Sequence, residues 1–427
     1  MWWLCMVALG AEPVTMDLDE ARRRLEDDAP TLAVLEGRVA EARAQARLST
    51  APLLPVVAAR GGYVRNNEEV VVSIASVMEN LAESLPIPVD LDPNSLPDDL
   101  TIQPLEQWTA GVEAKVPLVQ PSAWATHSAA RAGVDVAEAR ATAARREADG
   151  GLVRAAWMAS ASEQVAEARA RGVEAAEAHR DSAQRRLAAG IGTELDVLLA
   201  ETELARRQSE HAQAVADRDG ARRAMGALLG MDGPVRIEVG EMPRISEGGR
   251  SESHPELVAA EAMTHAAQRQ QTAAWLRHAP TLDAVGSVVT SDVPFPTGLT
   301  TGWKVGVQAT WVLFDGGARY GMAGVAQAKK QQAEAGVEQV RLDLLRREAD
   351  ADQGVSVAEE RLRLAERAQQ TATRAEATAA RLFENGLADA LQALDAQQRR
   401  IDADVARAGA EARLAVARVD LDLVVGP

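Results

Sequence analysis

The chain repeats itself, and each copy joins a two-residue periodicity to a much longer helical one. Pro30 to Pro55 (PTLAVLEGRVAEARAQARLSTAPLLP) aligns without a gap on Pro255 to Pro280 (PELVAAEAMTHAAQRQQTAAWLRHAP), with Leu32 over Leu257 and Glu36 over Glu261. Further on, Trp108 to Leu118 (WTAGVEAKVPL) aligns ungapped on Trp303 to Leu313 (WKVGVQATWVL), with Gly111 over Gly306 and Val112 over Val307. A duplicated supersecondary unit fixes the architecture, because whatever one copy builds the other builds again. The first pair of segments, bounded by prolines, reads as helices.

The second pair reads as strands. Trp108, Ala110, Val112, Ala114 and Val116 alternate with Thr109, Gly111, Glu113 and Lys115. In the other copy Trp303, Val305, Val307, Ala309 and Trp311 alternate with Lys304, Gly306, Gln308 and Thr310. Such alternation puts one set on each face of a sheet, and an apolar exterior around a polar interior is the pattern of a transmembrane barrel. A half-buried strand of a soluble sheet alternates in the same way, and aromatic placement separates the two. Of eleven aromatics beyond the first eleven residues, nine lie in or beside the strand regions: Tyr63, Trp108, Trp124, Trp275, Phe295, Trp303, Trp311, Phe314 and Tyr320. That clustering reads as an interfacial girdle, with Trp108, Trp303 and Trp311 its principal members. Partner strands precede these, so the expected strands are about 55–65, 105–118, 280–291 and 301–313. Four strands cannot close a membrane barrel, for which about eight is the minimum. Closure requires an oligomer, and a homotrimer supplies twelve. The first hairpin's connection, Asn66 to Gln103, is rich in Pro, Asp and Asn (PIPVDLDPNSLPDD) and reads as an exposed loop.

After each second strand comes a run without proline, 122–189 and 316–384, each about 100 Å long as a helix at roughly 1.5 Å per residue. Steps of three and four through Val134, Ala137, Ala141, Ala144, Ala148, Gly151, Ala155, Met158, Ser162 and Val165 predict coiled-coil packing. Val355, Ala358, Leu362, Ala365, Ala368, Ala372, Ala375, Ala379 and Leu382 make a similar stripe. Each run reaches a tight turn of related sequence, RLAAGIGTELDVLLAE at Arg186–Glu201 and LFENGLADALQALDAQ at Leu382–Gln397, with Gly190 over Gly386 at a helix end. The helices return over 193–230 and 389–424, so each copy is a helical hairpin. The expected organisation is a first repeat at 12–230 opening with a helix at 17–50, a Gly- and Pro-punctuated linker at 231–253, and a second repeat at 254–425 opening with a helix at 255–278.

Composition narrows the function. Aromatics are 3% of the chain, too few for bulky globular cores, and the net charge of −17, with Arg interspersed among Glu, disfavours a nucleic-acid partner. No uninterrupted run of about 18 apolar residues follows the first segment, so any crossing of a membrane must be by a barrel. The apolar start, residues 1–11, reads as the remnant of a secretory signal whose start lies upstream; a frayed terminus and a lipid anchor on Cys5 are the alternatives. Cys5 is the sole cysteine, so a chain cut near Ala11 has no disulfide, thiolate metal site or cysteine nucleophile. His127, His179, His211, His254, His265 and His278 form no close metal-ligand pair, and no phosphate loop or nucleophile elbow is present. No catalytic residue, metal site or cofactor is expected. A periplasmic adaptor or coiled-coil tether also carries long hairpins, but such proteins need one hairpin flanked by compact β-domains, whereas this chain has two hairpins and four strands.

Over nearly the whole chain these features resemble the TolC-like outer membrane factor (outer membrane efflux protein) family. The resemblance rests on the helices ending in Ala51–Pro55 and Ala279–Pro280, the junction WVLFDGGARYG at Trp311–Gly321, and tip residues Gly190, Thr193, Leu195 and Asp196. It implies a mainly α protein with a small β part: duplicated hairpins forming a tunnel in the periplasm, and four strands completing a trimeric twelve-stranded barrel among outer-membrane lipids. It further implies a passive exit duct for efflux or type I secretion, docked on a periplasmic adaptor and an inner-membrane pump of RND or ABC type. The turns Gly190, Ile191, Gly192 and Thr193, and Asn385, Gly386, Leu387, Ala388 and Asp389, would meet the adaptor or pump. Gln392 and Asp395 fall where family members often carry two acidic residues forming a constriction ring, and a ring of Asp395 implies modest cation selectivity. The first strand-to-helix junction departs from the family pattern, with Val119-Gln120-Pro121-Ser122 where the second copy has Phe314-Asp315-Gly316-Gly317.

Overall fold

The computed structural model describes residues 12–73, 76–77, 80, 100–246, 254–292, 301–385, 387 and 390–426. The chain divides into two compact units, one drawn from the stretches up to Ala42, from Val134 to Thr264 and from Ala333 onward, the other from Arg43–Gly133 and His265–Gln332.

The second unit holds the strands of both repeats in one antiparallel sheet. The strands are β2 (Val56–Arg65), β5 (Glu106–Val119), β7 (Thr281–Ser291) and β8 (Thr301–Thr310), hydrogen-bonded in the order β2-β5-β7-β8. The two duplicated hairpins are therefore neighbours through β5 and β7, with Val112 opposite Val288, and β2 and β8 have one free edge each. Gly111 is required by this junction, since a Cβ there would stand 2.9 Å from the Val288 carbonyl oxygen. Strand β8 stops at Thr310, three residues short of the 301–313 expected from alternation. The ladder ends with Thr281 opposite Thr310, so Trp311 has no residue left to pair with, and its indole Nε1 donates instead to the His278 carbonyl at 3.0 Å. The segment Asn66–Gln103 is not loop throughout. It contains β3 (Val70–Val72) paired with β4 (Leu100–Gln103), and the neck below them is tied by Asn66 donating through its backbone and side chain to the Leu105 and Pro104 carbonyls, both at 2.8 Å.

In the first unit, β1 (Val14–Asp17) lies parallel to β6 (Val235–Glu238), with Met16 opposite Ile237. Strand β6 falls inside 231–253, where a linker is expected. A four-residue strand carries too short a pattern to register, and a parallel partner more than 200 residues away leaves no local trace. Helix α1 (Leu18–Asp28) starts at Asp17, whose Oδ1 accepts from the Glu20 amide at 2.7 Å. The expected helix 17–50 breaks after α1, and α2 follows as Pro30–Leu48. Pro30 drives Ala29 to an extended ψ of 123°, as the ring clash before proline requires, and the freed Ala29 carbonyl accepts from Leu32 and Ala33.

The remaining helices are α3 (Pro121–Ala188), α4 (Glu194–Leu228), α5 (Pro255–Leu276), α6 (Ala318–Glu384) and α7 (Ala390–Val425). The core of the first unit gathers Met16, Leu25, Leu32, Leu152, Ala156, Met225, Leu229, Val235 and Ile237 around the β1–β6 pair. Beside it, Trp157 and Val153 of α3 pack on Ala415 and Val419 of α7, and Val355 and Ala358 of α6 pack on Leu414 and Leu421. The buried line of α3 is thus rotated from the stripe through Met158, which is 53% exposed; the larger Leu152 and Trp157 outweigh a run of alanines in choosing the face. In α6 the stripe is covered at Val355, Ala358, Leu362, Ala365, Ala372 and Ala379, whereas Ala368, Ala375 and Leu382, also expected in it, are exposed. At the end of α4, a Cβ on Gly226 would fall on the carbonyl oxygen of Gly233, so the chain can turn back into β6 only over a glycine.

Candidate functional site

Three places carry chemistry: the hairpin tips, an ion network between helices, and the two faces of the sheet. At the first tip, Gly190 takes φ +73°, and the amides of Ile191 and Gly192 both donate to the Arg186 carbonyl at 3.0 Å. A Cβ on Gly192 would lie 3.0 Å from the Leu187 nitrogen, so both glycines are demanded by the turn. Thr193 caps α4 reciprocally: its Oγ1 accepts from the Asp196 amide at 3.2 Å, and the Asp196 carboxylate accepts from the Thr193 amide at 2.9 Å. Those bonds, the backbone one foremost, hold the Asp196 carboxyl below the usual carboxylate range.

The second tip repeats this frame. Asn385 donates to the Arg381 carbonyl as Ala189 does to Arg185, and Leu387 to Leu382 as Ile191 does to Arg186. Gly386, Ala388 and Asp389 lie outside the described residues. Both tips present bare apolar side chains, with Ile191 71% and Leu387 76% exposed and Leu195, Leu198 and Leu199 also in solvent on α4. Leu198 and Leu199 were not singled out from the sequence, where two adjacent leucines in an Ala-rich helix look like core.

Next along α7, Gln392 and Asp395 are both exposed. Asp395 is not a lone carboxylate, because Arg399 one turn on reaches it at 3.0 Å. The acid–base spacing of four residues announces such a pair in sequence. Deeper in the unit, Asp404 of α7 accepts from Gln369 of α6 at 2.7 Å, from Arg171 of α3 at 3.3 Å and from Arg400 at 3.2 Å, while Arg400 also meets Glu376 of α6 at 3.4 Å. Burial by itself would push the Asp404 carboxyl up, but the bonds from Gln369, Arg400 and Arg171 hold it below its usual range. Arg169 of α3 completes the web, bridging Glu210 of α4 at 2.9 Å and Asp402 of α7 at 3.3 Å.

The sheet has one polar face and one that is apolar except at its loop end, where Arg65 pairs with Glu106 at 3.1 Å. Cross-strand partners share a face, so the register places Val57, Ala59, Gly61 and Tyr63 with Ala114, Val112, Ala110 and Trp108, then Ala284, Gly286 and Val288, then Val307, Val305 and Trp303. Trp108 and Trp303 stand third in their strands, while Trp311 is just beyond β8, close to a ring cluster of Trp275, His278 and Tyr320. The opposite face carries Arg60, Thr109, Glu113, Lys115, Asp283, Ser287, Lys304 and Gln308. There Arg60 pairs with Glu113 at 3.3 Å, and buried Asp283 takes both Lys115 at 2.9 Å and Gln120 at 2.7 Å. Among the described residues no group of His, Cys, Asp and Glu is arranged to hold a metal, and no helix is long and apolar enough to cross a membrane.

No curated protein sequence is a significant match. Among solved structures the chain is similar to the outer membrane protein VceC of Vibrio cholerae, at 18% identity over 96% of each chain with a TM-score of 0.74. It is also similar to the CmeC outer membrane channel of Campylobacter jejuni (15% identity, 96% of this chain and 85% of that one, TM-score 0.79). The open state of the MtrE outer membrane channel of Neisseria gonorrhoeae is a further match (18% identity, 96% and 88%, TM-score 0.75). At such identities these likenesses establish the fold. The family model for outer membrane efflux proteins matches residues 21–231 and 251–427, nearly the whole chain, and the chain belongs to that family.

Proposed function

We propose that this outer-membrane protein is the passive exit duct of a tripartite efflux or type I secretion system, with its long helices in the periplasm. The observation that carries the reading is the four-stranded sheet, apolar on one face, charged on the other and open at β2 and β8. A lipid-exposed edge is forbidden, so the sheet must close on copies of itself, and three copies give twelve strands with the apolar face outward. Trp108, Trp303 and Trp311 then belong to the aromatic girdle. Substrate passes through the water-filled interior without chemistry.

The tips are where a periplasmic adaptor and an inner-membrane pump would dock. Ile191 and Leu387 are bare side chains on two turns that share a pair of backbone hydrogen bonds, which suits a repeated apolar contact. Gln392 and Asp395 would line the narrow part of the lumen, with Arg399 beside them. The test is photo-crosslinking from positions 191 and 387 in cells, combined with fractionation. Heat-modifiable trimers in the outer membrane that capture an adaptor support the duct. A soluble periplasmic monomer would overturn it in favour of a coiled-coil tether.

A further inference from the structure

The inward face of the sheet does not balance its charge. Five ionised side chains lie on that face among the described residues: Arg60, Glu113, Lys115, Asp283 and Lys304. Four neutralise one another in pairs, Arg60 with Glu113 and Lys115 with Asp283. Lys304, fourth in β8 and opposite Ser287, is exposed and meets no carboxylate among the described residues. Each copy therefore brings one uncompensated positive charge to the polar face of a chain whose net charge is −17.

We propose that Lys304 is a selectivity-determining residue, forming in the closed trimer a ring of three ammonium groups that makes the barrel favour anionic solutes; the inference rests on the duct reading above. Twelve strands about 4.8 Å apart and tilted ~40° enclose a backbone radius of about 12 Å, which leaves extended lysine heads roughly 7 Å from the axis. Three such charges acting through water, with a Debye length of about 10 Å at 0.1 M salt, enrich a monovalent anion on the axis roughly fourfold. At 1 M salt, where the Debye length is about 3 Å, the enrichment falls to about 1.3-fold. A polyanion feels the ring in proportion to its valence, so phosphorylated or multiply carboxylated solutes are the class most affected.

The test uses trimers in planar bilayers. The anion-over-cation permeability ratio is measured from KCl gradients near 0.1 M and near 1 M, and inorganic tripolyphosphate is titrated from the loop side. The same potential depletes the cation by the factor that enriches the anion, so Lys304→Gln is expected to lower the ratio by up to about 16-fold at 0.1 M and by less than about twofold at 1 M, and to weaken tripolyphosphate block. Lys304→Arg is expected to keep both properties, and Lys304→Glu to invert the preference. Trimers that conduct normally while Lys304→Gln leaves selectivity and block unchanged overturn the Lys304 assignment alone. A wild-type protein that forms no conducting trimer overturns the duct reading, and this assignment with it.

Discussion

Removing the charge of Asp404 tests whether the ion web between α3, α6 and α7 holds the hairpins together. In Asp404→Asn the carboxylate bonds to Arg171 at 3.3 Å and Arg400 at 3.2 Å are lost, while Gln369 keeps an oxygen to donate to. Two limits bracket the effect: exposed pairs contribute about 0.2–1 kcal/mol, and breaking a fully buried pair costs about 3–5 kcal/mol. The Asp404 side chain is only 9% exposed, but Arg171 is 55% exposed and can return to water, and Arg400 retains Glu376. The expected cost is therefore about 1.5 kcal/mol, near the lower limit, and it falls on local opening of these helices rather than on the distant core. Amide hydrogen exchange through residues 369–404 is expected to accelerate roughly tenfold, with amides around Trp157 unchanged. The same amides supply a pH signature. Because the folded carboxyl titrates below its usual range, its contribution is complete above the unfolded value and is lost as pH falls through the folded one. Wild-type exchange is expected to approach that of Asp404→Asn only in acid below about pH 4, after correction for intrinsic rates. Less than about a threefold change at neutral pH would refute the view that this web couples the helices.

Three further perturbations probe separate features. Gly226→Ala drives a methyl into the Gly233 carbonyl and is expected to cost about 1–3 kcal/mol, seen as faster proteolysis within 231–246; unchanged resistance would mean the turn relaxes freely. Asp283→Ala strips the partner from Lys115 and Gln120 where β5 meets α3, and trimers are expected to dissociate at lower temperature on semi-native gels, whereas an exposed control such as Gln308→Ala leaves them intact. Asp395→Ala leaves Arg399 unpaired at the proposed constriction, so the conductance is expected to shift toward anions; identical selectivity would remove Asp395 and Arg399 from the narrow part of the lumen.

Patterns that repeat over many residues, or that one residue type enforces, were legible in the sequence. Alternation around Val112 and Val307 identified two strands and their faces, and the duplication identified their partners. Gly190 marked the first tip because only a residue without a side chain readily takes φ +73° there. Pairings between distant short segments were hidden. Strands β1 and β6 are four residues each, and Val14 meets Val235 through the fold rather than through any local signal. The break at Ala29 is written in Pro30, at which one helix of the expected 17–50 stretch begins and before which the other must end. The rotated face of α3 shows a limit of small-residue stripes: where alanine recurs on every side, one Trp157 decides which side is inside. At the tips, Ile191 and Leu387 were singled out by the family resemblance rather than by any local pattern, whereas the pairing of Asp395 with Arg399 was written in their four-residue spacing.

The free edges of β2 and β8 bear on how such a protein reaches its membrane. Each edge strand has ten residues, so roughly five amide and carbonyl pairs per edge point away from the sheet, and in hydrocarbon each unsatisfied group costs several kcal/mol. A single copy inserted alone would carry a penalty of tens of kcal/mol, far more than its apolar face can offset. On the duct reading, insertion and association are one event: the newly made chain waits outside the bilayer, shielded along both edges, and its arrival is expected to depend steeply on the concentration of its siblings.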